Sequence, residues 1–154
     1  MHVFAAVLAV GTGAAAAFAH KGTPCHVRIG RWYYRAVRTV CVTAVLLTAL
    51  RPRQDYYLTI IGLIAFAAAT VGYQHRRRCR PGDTPHIAGM GLSYIAMLTA
   101  FYVDNGRHLP VWDRLPAFAF WLLPSVIGIP ITARAIHHAK SDIRMATTRR
   151  DGAQ

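Results

Sequence analysis

Long uncharged runs alternate with short clusters of charge along this chain. A helix that crosses a bilayer needs about 20 apolar residues, and about 17 at the least. Five stretches meet or approach that length: 3–19, 32–50, 56–73, 87–103 and 115–136. The second carries Arg35 and Arg38, and the fifth carries Arg134 near its end. Pro124 and Pro130 predict kinks in the fifth, which membrane helices tolerate because neighbouring groups re-satisfy the freed carbonyls. Turn chemistry separates the runs at Lys21-Gly22-Thr23-Pro24, at Arg51-Pro52-Arg53 and at Pro81-Gly82-Asp83-Thr84-Pro85. Asp104-Asn105-Gly106 closes the fourth run with residues that tolerate left-handed backbone. Trp32, Tyr33, Tyr34, Tyr56, Tyr57, Tyr73, Tyr102 and Trp112 fall near the ends of runs, as an interfacial aromatic belt does. The pattern predicts an all-α integral membrane protein, a single bundle of about five transmembrane helices over residues 1–136. A basic tail, 137–154, follows as a short helical or frayed segment.

Composition sharpens this picture. Of 154 residues, 54% are hydrophobic and only 16% charged, against about 25% in a soluble domain. The net charge is nevertheless +12, from 18 Lys and Arg against six acidic residues, all of them Asp. Such a charge on a soluble chain would suggest a nucleic-acid partner. Here the charges clump between apolar runs, so the expected partner is the lipid bilayer and no nucleic acid. With five spans, one side holds the 20–31 and 75–86 loops, the Arg35 and Arg38 end of the second helix, and the tail. With Arg134 at the end of the fifth run, that side carries fourteen Lys and Arg; the other carries Arg51, Arg53, Arg107 and Arg114. The positive-inside rule then places the amino terminus outside and the carboxy terminus in the cytoplasm. The first run competes with a signal peptide, since Ala17-Phe18-Ala19 fits a cleavage site. No Lys or Arg precedes the apolar run, however, which favours a retained helix.

Candidate chemistry gathers on the basic side. His20, His26, His75, His86, His137 and His138 all map there. Helix ends on one side of a small bundle lie within roughly 10 Å of their neighbours. Convergence of His20, His75 and His86, with His26 nearby, would suit haem b or a metal ion. Interfacial histidines also occur without any ligand, and no pair has the HxxxH spacing that puts two ligands on one helix turn. The absence of Glu removes a common partner for ligating imidazoles. His86 and Ser93 share a helix face but lack an acidic third member for a hydrolase triad. Asp104, His108 and Asp113 flank the outer loop. Arg28, Arg31, Arg35 and Arg38 repeat at three, four and three residues, which places them on one helix face if the second helix begins early. That stripe reads either as an anchor that sets topology or as a contact for an anionic lipid or phosphate, extended by Arg76, Arg77, Arg78 and Arg80. Gly11, Gly13, Gly89, Gly91 and Ser93 predict close helix packing. Cys25, Cys41 and Cys79 have no metal or disulfide spacing.

The segment His2-Val3-Phe4-Ala5-Ala6, with His20-Lys21-Gly22-Thr23-Pro24-Cys25-His26-Val27-Arg28-Ile29-Gly30-Arg31 after the first apolar run, resembles a family of small bacterial predicted multi-helix membrane proteins of unknown function. The family pattern is a His-initiated first helix, a KGxxxHRxxGR motif, and a later His before another span; His86 in His86-Ile87-Ala88-Gly89-Met90-Gly91 matches the last. The likeness covers roughly 2–105 and departs at Val27, where many members have Arg. It implies a multi-helix protein of the bacterial inner membrane and points to His2, Lys21, Gly22, His26, Arg28, Gly30, Arg31 and His86. It implies no reaction. The expected role is binding, transport-accessory or structural, alone, as a homo-oligomer or with other membrane subunits. The alternatives are a redox protein holding b-type haem or a metal at the cytoplasmic histidines, and an enzyme or binder acting on an anionic lipid.

Overall fold

A computed structural model describes residues 1–78, 82–108 and 114–151. The described residues form five α-helices and no strand. They are α1 (His2–Phe18), α2 (Pro24–Leu50), α3 (Pro52–Arg77), α4 (Thr84–Asn105) and α5 (Ala117–Asp151). The all-α membrane bundle is therefore what the chain forms. Four helices are long and apolar enough to cross a bilayer: α2, α3 from Tyr56, α4, and α5 as far as Ser141. The first, with 17 residues, is apolar but shorter. At 1.5 Å per residue it spans about 25 Å, a little less than a hydrocarbon core of about 30 Å.

Helix boundaries run beyond the apolar runs because proline and capping chemistry, not hydropathy, decides where a helix starts. α2 begins eight residues before Trp32, at Pro24, whose missing N–H costs nothing in the first turn. The Thr23 hydroxyl accepts from the His26 N–H, a cap that stabilises by about 1 kcal/mol. α3 and α4 likewise carry proline in their first turn, at Pro52 and Pro85. α5 runs through Pro124 and Pro130 and on to Asp151, so the tail is a helical continuation rather than a separate short segment.

Consecutive helices are antiparallel. His2 on α1 hydrogen-bonds Thr43 on α2, while Ala16 meets His26. Tyr34 bonds Thr70 between α2 and α3, and Gly72 faces Gly89 between α3 and α4. The Tyr94 hydroxyl donates to the Val10 carbonyl and joins α4 to α1, closing a ring of four helices. α5 packs on α4 outside this ring.

The packing residues are small, as they must be where lipid removes any hydrophobic drive between helices. A Cβ on Gly89 would lie 2.7 Å from the Ala68 carbonyl oxygen and 2.8 Å from the Gly72 nitrogen, so this crossing has no space for a side chain. A Cβ on Gly13 would run into the rings of Tyr94 and Tyr33. Gly11, by contrast, is open and exposed; it takes no part in the expected close packing because it lies on the other face of α1. Gly106 also departs from expectation. Its backbone is right-handed and the chain continues as a 3₁₀ turn over Gly106–His108. Its lack of a side chain makes room for the Phe120 ring instead. Among the described residues the left-handed glycines are Gly22 and Gly82, in the two turns at the opposite end.

The aromatic belt needs correction in its middle members. Because α2 starts at Pro24, Tyr33 lies well inside the helix and is 1% exposed. Tyr34 stacks on Tyr73 at 4.4 Å and on Phe66 at 5.9 Å, between α2 and α3. Trp32 and Tyr56 are exposed as belt residues are. Trp112 lies outside the described residues.

Candidate functional site

The up-and-down order gathers the C-terminal ends of α1 and α3 with the N-terminal ends of α2 and α4. The histidines of this end play separate parts. His26 is the third residue of α2, and its ring Nδ1 lies 3.1 Å from the Ala16 carbonyl. Ala16 is among the last four residues of α1, whose carbonyls lack intrahelical partners, so the ring caps the end of the neighbouring helix. His86 is the third residue of α4, and its Nδ1 lies 3.0 Å from the Gly72 carbonyl on α3. The close Gly72–Gly89 crossing, one turn along, brings that carbonyl within reach. The two rings meet edge to face with centroids 6.3 Å apart.

His75 does something else. Its Nε2 bonds the Gly82 carbonyl at 2.8 Å, which clamps the turn between α3 and α4. Arg76 and Asp83 form an ion pair across the same turn. The His20 side chain is exposed and makes no hydrogen bond among the described residues; its carbonyl accepts from Thr23. His20, His75 and His86 are thus not brought together. Among the described residues no group of three His, Cys, Asp or Glu side chains is placed to hold a metal ion. The pair that does form is His26 with His86. A sequence signal for it exists in retrospect: Thr23-Pro24-Cys25-His26 and Thr84-Pro85-His86 each put a histidine in the first turn of a helix, at the same end.

Arg28, Arg31, Arg35 and Arg38 are all exposed on α2, which begins early enough to carry all four. They extend over about 15 Å of helix. The Arg35 guanidinium sits 5.5 Å from the centre of the Trp32 ring, a cation–π contact that holds it along the helix surface. None of the four forms an ion pair with an acid among the described residues. Arg76, Arg77 and Arg78 end α3 and are exposed; Arg80 lies outside the described residues.

In the middle of the ring, the Tyr33 hydroxyl and Ser93 Oγ share a buried hydrogen bond of 2.8 Å. Ser93 is therefore occupied by structure and is not free to work with His86. At the far end, Tyr57, Val103, Ala117, Phe120 and Trp121 line a cleft of about 390 Å³ between α3, α4 and α5. Asp104 bonds the Asn105 side chain, and His108 is exposed; Asp113 lies outside the described residues. Cys25 is exposed and Cys41 buried, both as free thiols; Cys79 lies outside the described residues. Set against protein-family models, curated proteins and solved structures, the chain matches none.

Proposed function

We propose that this chain is a multi-pass protein of the bacterial cytoplasmic membrane that binds an anionic lipid headgroup along α2. Its amino terminus lies outside and its carboxy terminus in the cytoplasm. The observation that carries this reading is the exposed face of Arg28, Arg31, Arg35 and Arg38, which has no acidic partner among the described residues. An arginine facing hydrocarbon costs about 3 kcal/mol by insertion scales. Snorkelling and a phosphate at the headgroup level both offset that cost, and the guanidinium fork matches phosphate oxygens two at a time. Binding is favoured over a purely topological role because the topological bias is already supplied by Lys21, Arg76, Arg77 and the tail.

The test is retention of phosphatidylglycerol or cardiolipin by purified protein in native mass spectrometry. The variant Arg31→Gln/Arg35→Gln/Arg38→Gln is expected to lose the retained anionic lipid while phosphatidylcholine retention stays unchanged. Equal retention by variant and parent would sink the lipid reading. Orientation is tested through the exposed thiol of Cys25, in a Cys79→Ser background. A membrane-impermeant maleimide is expected to label it in inverted vesicles and not in intact cells, and the opposite pattern would reverse the topology.

A further inference from the structure

The four arginines of α2 stand at different depths, and the neighbouring helices set the scale. On α3, Thr70 lies level with Tyr34 of α2. The next charge on α3 beyond it, Arg76, comes six residues later, about 9 Å nearer the basic end. Arg28 and Arg31 are therefore level with the polar end of α3, between Tyr73 and Arg76. Arg35 and Arg38 follow about 6 and 10 Å deeper than Arg31. The α3 residues at their level run from Phe66 to Ala69. On α1, with Ala16 opposite His26 and His2 opposite Thr43, the level residues lie between Ala5 and Ala9. Neither stretch carries a polar side chain. With the arginine end of α3 at the headgroups, the upper pair is exposed at headgroup depth and the lower pair at the depth of the first acyl carbons. Arg35 leans back toward the headgroups, with its guanidinium 5.5 Å from the centre of the Trp32 ring. Beyond Arg38 the same face continues as exposed Val42, Val45 and Leu46.

This layout discriminates among anionic lipids. Phosphatidylglycerol offers one negative charge at one depth. Cardiolipin offers two, side by side in the plane of the headgroups, whereas the arginines are stacked along the membrane normal. A lipid whose chain is joined through a diphosphate places two phosphates one above the other, with at least two negative charges, directly over its chain. Each phosphate can take a guanidinium fork of its own. The chain then runs down the apolar face below Arg38. We infer that α2 is a site for a diphosphate-linked lipid, with Arg28 and Arg31 at the outer phosphate and Arg35 and Arg38 at the inner one. The inference rests on the reading of α2 as a lipid site and names the headgroup class.

The experiment compares lipids that share one chain. Geranylgeraniol, geranylgeranyl phosphate and geranylgeranyl diphosphate are titrated into the detergent-purified full chain, beside tetraoleoyl cardiolipin, and bound lipid is counted by native mass spectrometry. The diphosphate is expected to bind about tenfold tighter than the monophosphate, through the added charge-assisted hydrogen bonds. It is also expected to outcompete cardiolipin. In Arg35→Gln/Arg38→Gln the preference for diphosphate over monophosphate is expected to vanish. Equal binding of the two phosphates, tighter binding of cardiolipin, or a preference that survives in the variant overturns the inference. In those cases the lipid reading of α2 stands if anionic lipid is still lost in the triple variant Arg31→Gln/Arg35→Gln/Arg38→Gln. No binding of any anionic lipid removes both. Should the double variant fail to fold, the ranking of the four lipids on the parent chain decides.

Discussion

α4 and α5 are both apolar spans, yet the structure treats them differently. A third of the α4 span is buried inside the protein, against 11% of the α5 span. α4 touches α1, α3 and α5, and carries Gly89, Ser93 and Tyr94, each of which meets a neighbour through backbone or a hydroxyl. α5 exposes Val126, Ile127, Ile129 and Ile131. In water such a face would be costly, but in a bilayer it is solvated by acyl chains. The contrast teaches that hydrophobicity sets which segments enter the membrane, while small and hydroxylated residues set which of them pack together.

Substitutions that exchange the properties of the two helices test this contrast. The largest effect is expected at Gly89→Leu, which forces the α3–α4 crossing apart. Overpacking against backbone should cost about 3 kcal/mol in unfolding measured in bicelles, with loss of the His86–Gly72 contact. Tyr33→Phe removes the hydroxyl from Ser93 and should cost about 1 kcal/mol in the same measurement, since polar contacts between membrane helices average less than in water-filled intuition. The smallest effect is expected at Ile129→Ala on α5, within about 0.5 kcal/mol, because its side chain is largely exposed on the outer face of the bundle. A cost at Ile129 equal to that at Tyr33 would mean that α5 is covered by protein, such as a second copy of the chain, and the comparison with α4 would have to be redrawn.

Much of the architecture was legible beforehand. The apolar runs located all five helices, and the turns at Gly22 and Gly82 fell where glycine and proline marked them. The regular spacing of Arg28 to Arg38 placed them on one face, and that face is exposed. Helices start ahead of the apolar run wherever a polar first turn precedes it, as at Pro24, because capping and proline act before hydropathy rises. That one displacement moved Tyr33 from the expected belt into the core. Which of the candidate histidines lie together depends on a similar local choice. Reading histidines only by the end they occupy favours His20, His75 and His86, yet ring direction depends on which carbonyl each can reach.

By itself, the sequence determined that this is an all-helical membrane bundle, which segments are apolar, and where charge accumulates. Those are properties of local composition, and a bilayer selects on them one segment at a time. Only the tertiary structure decided that α1 to α4 close a ring with α5 outside, that Ser93 is taken by Tyr33, and that His26, not His20 or His75, stands beside His86. Each of these depends on the rotation of a helix about its axis. Lipid is indifferent to that rotation; it is set by where a neighbour offers a gap the size of a glycine or an oxygen within hydrogen-bonding reach.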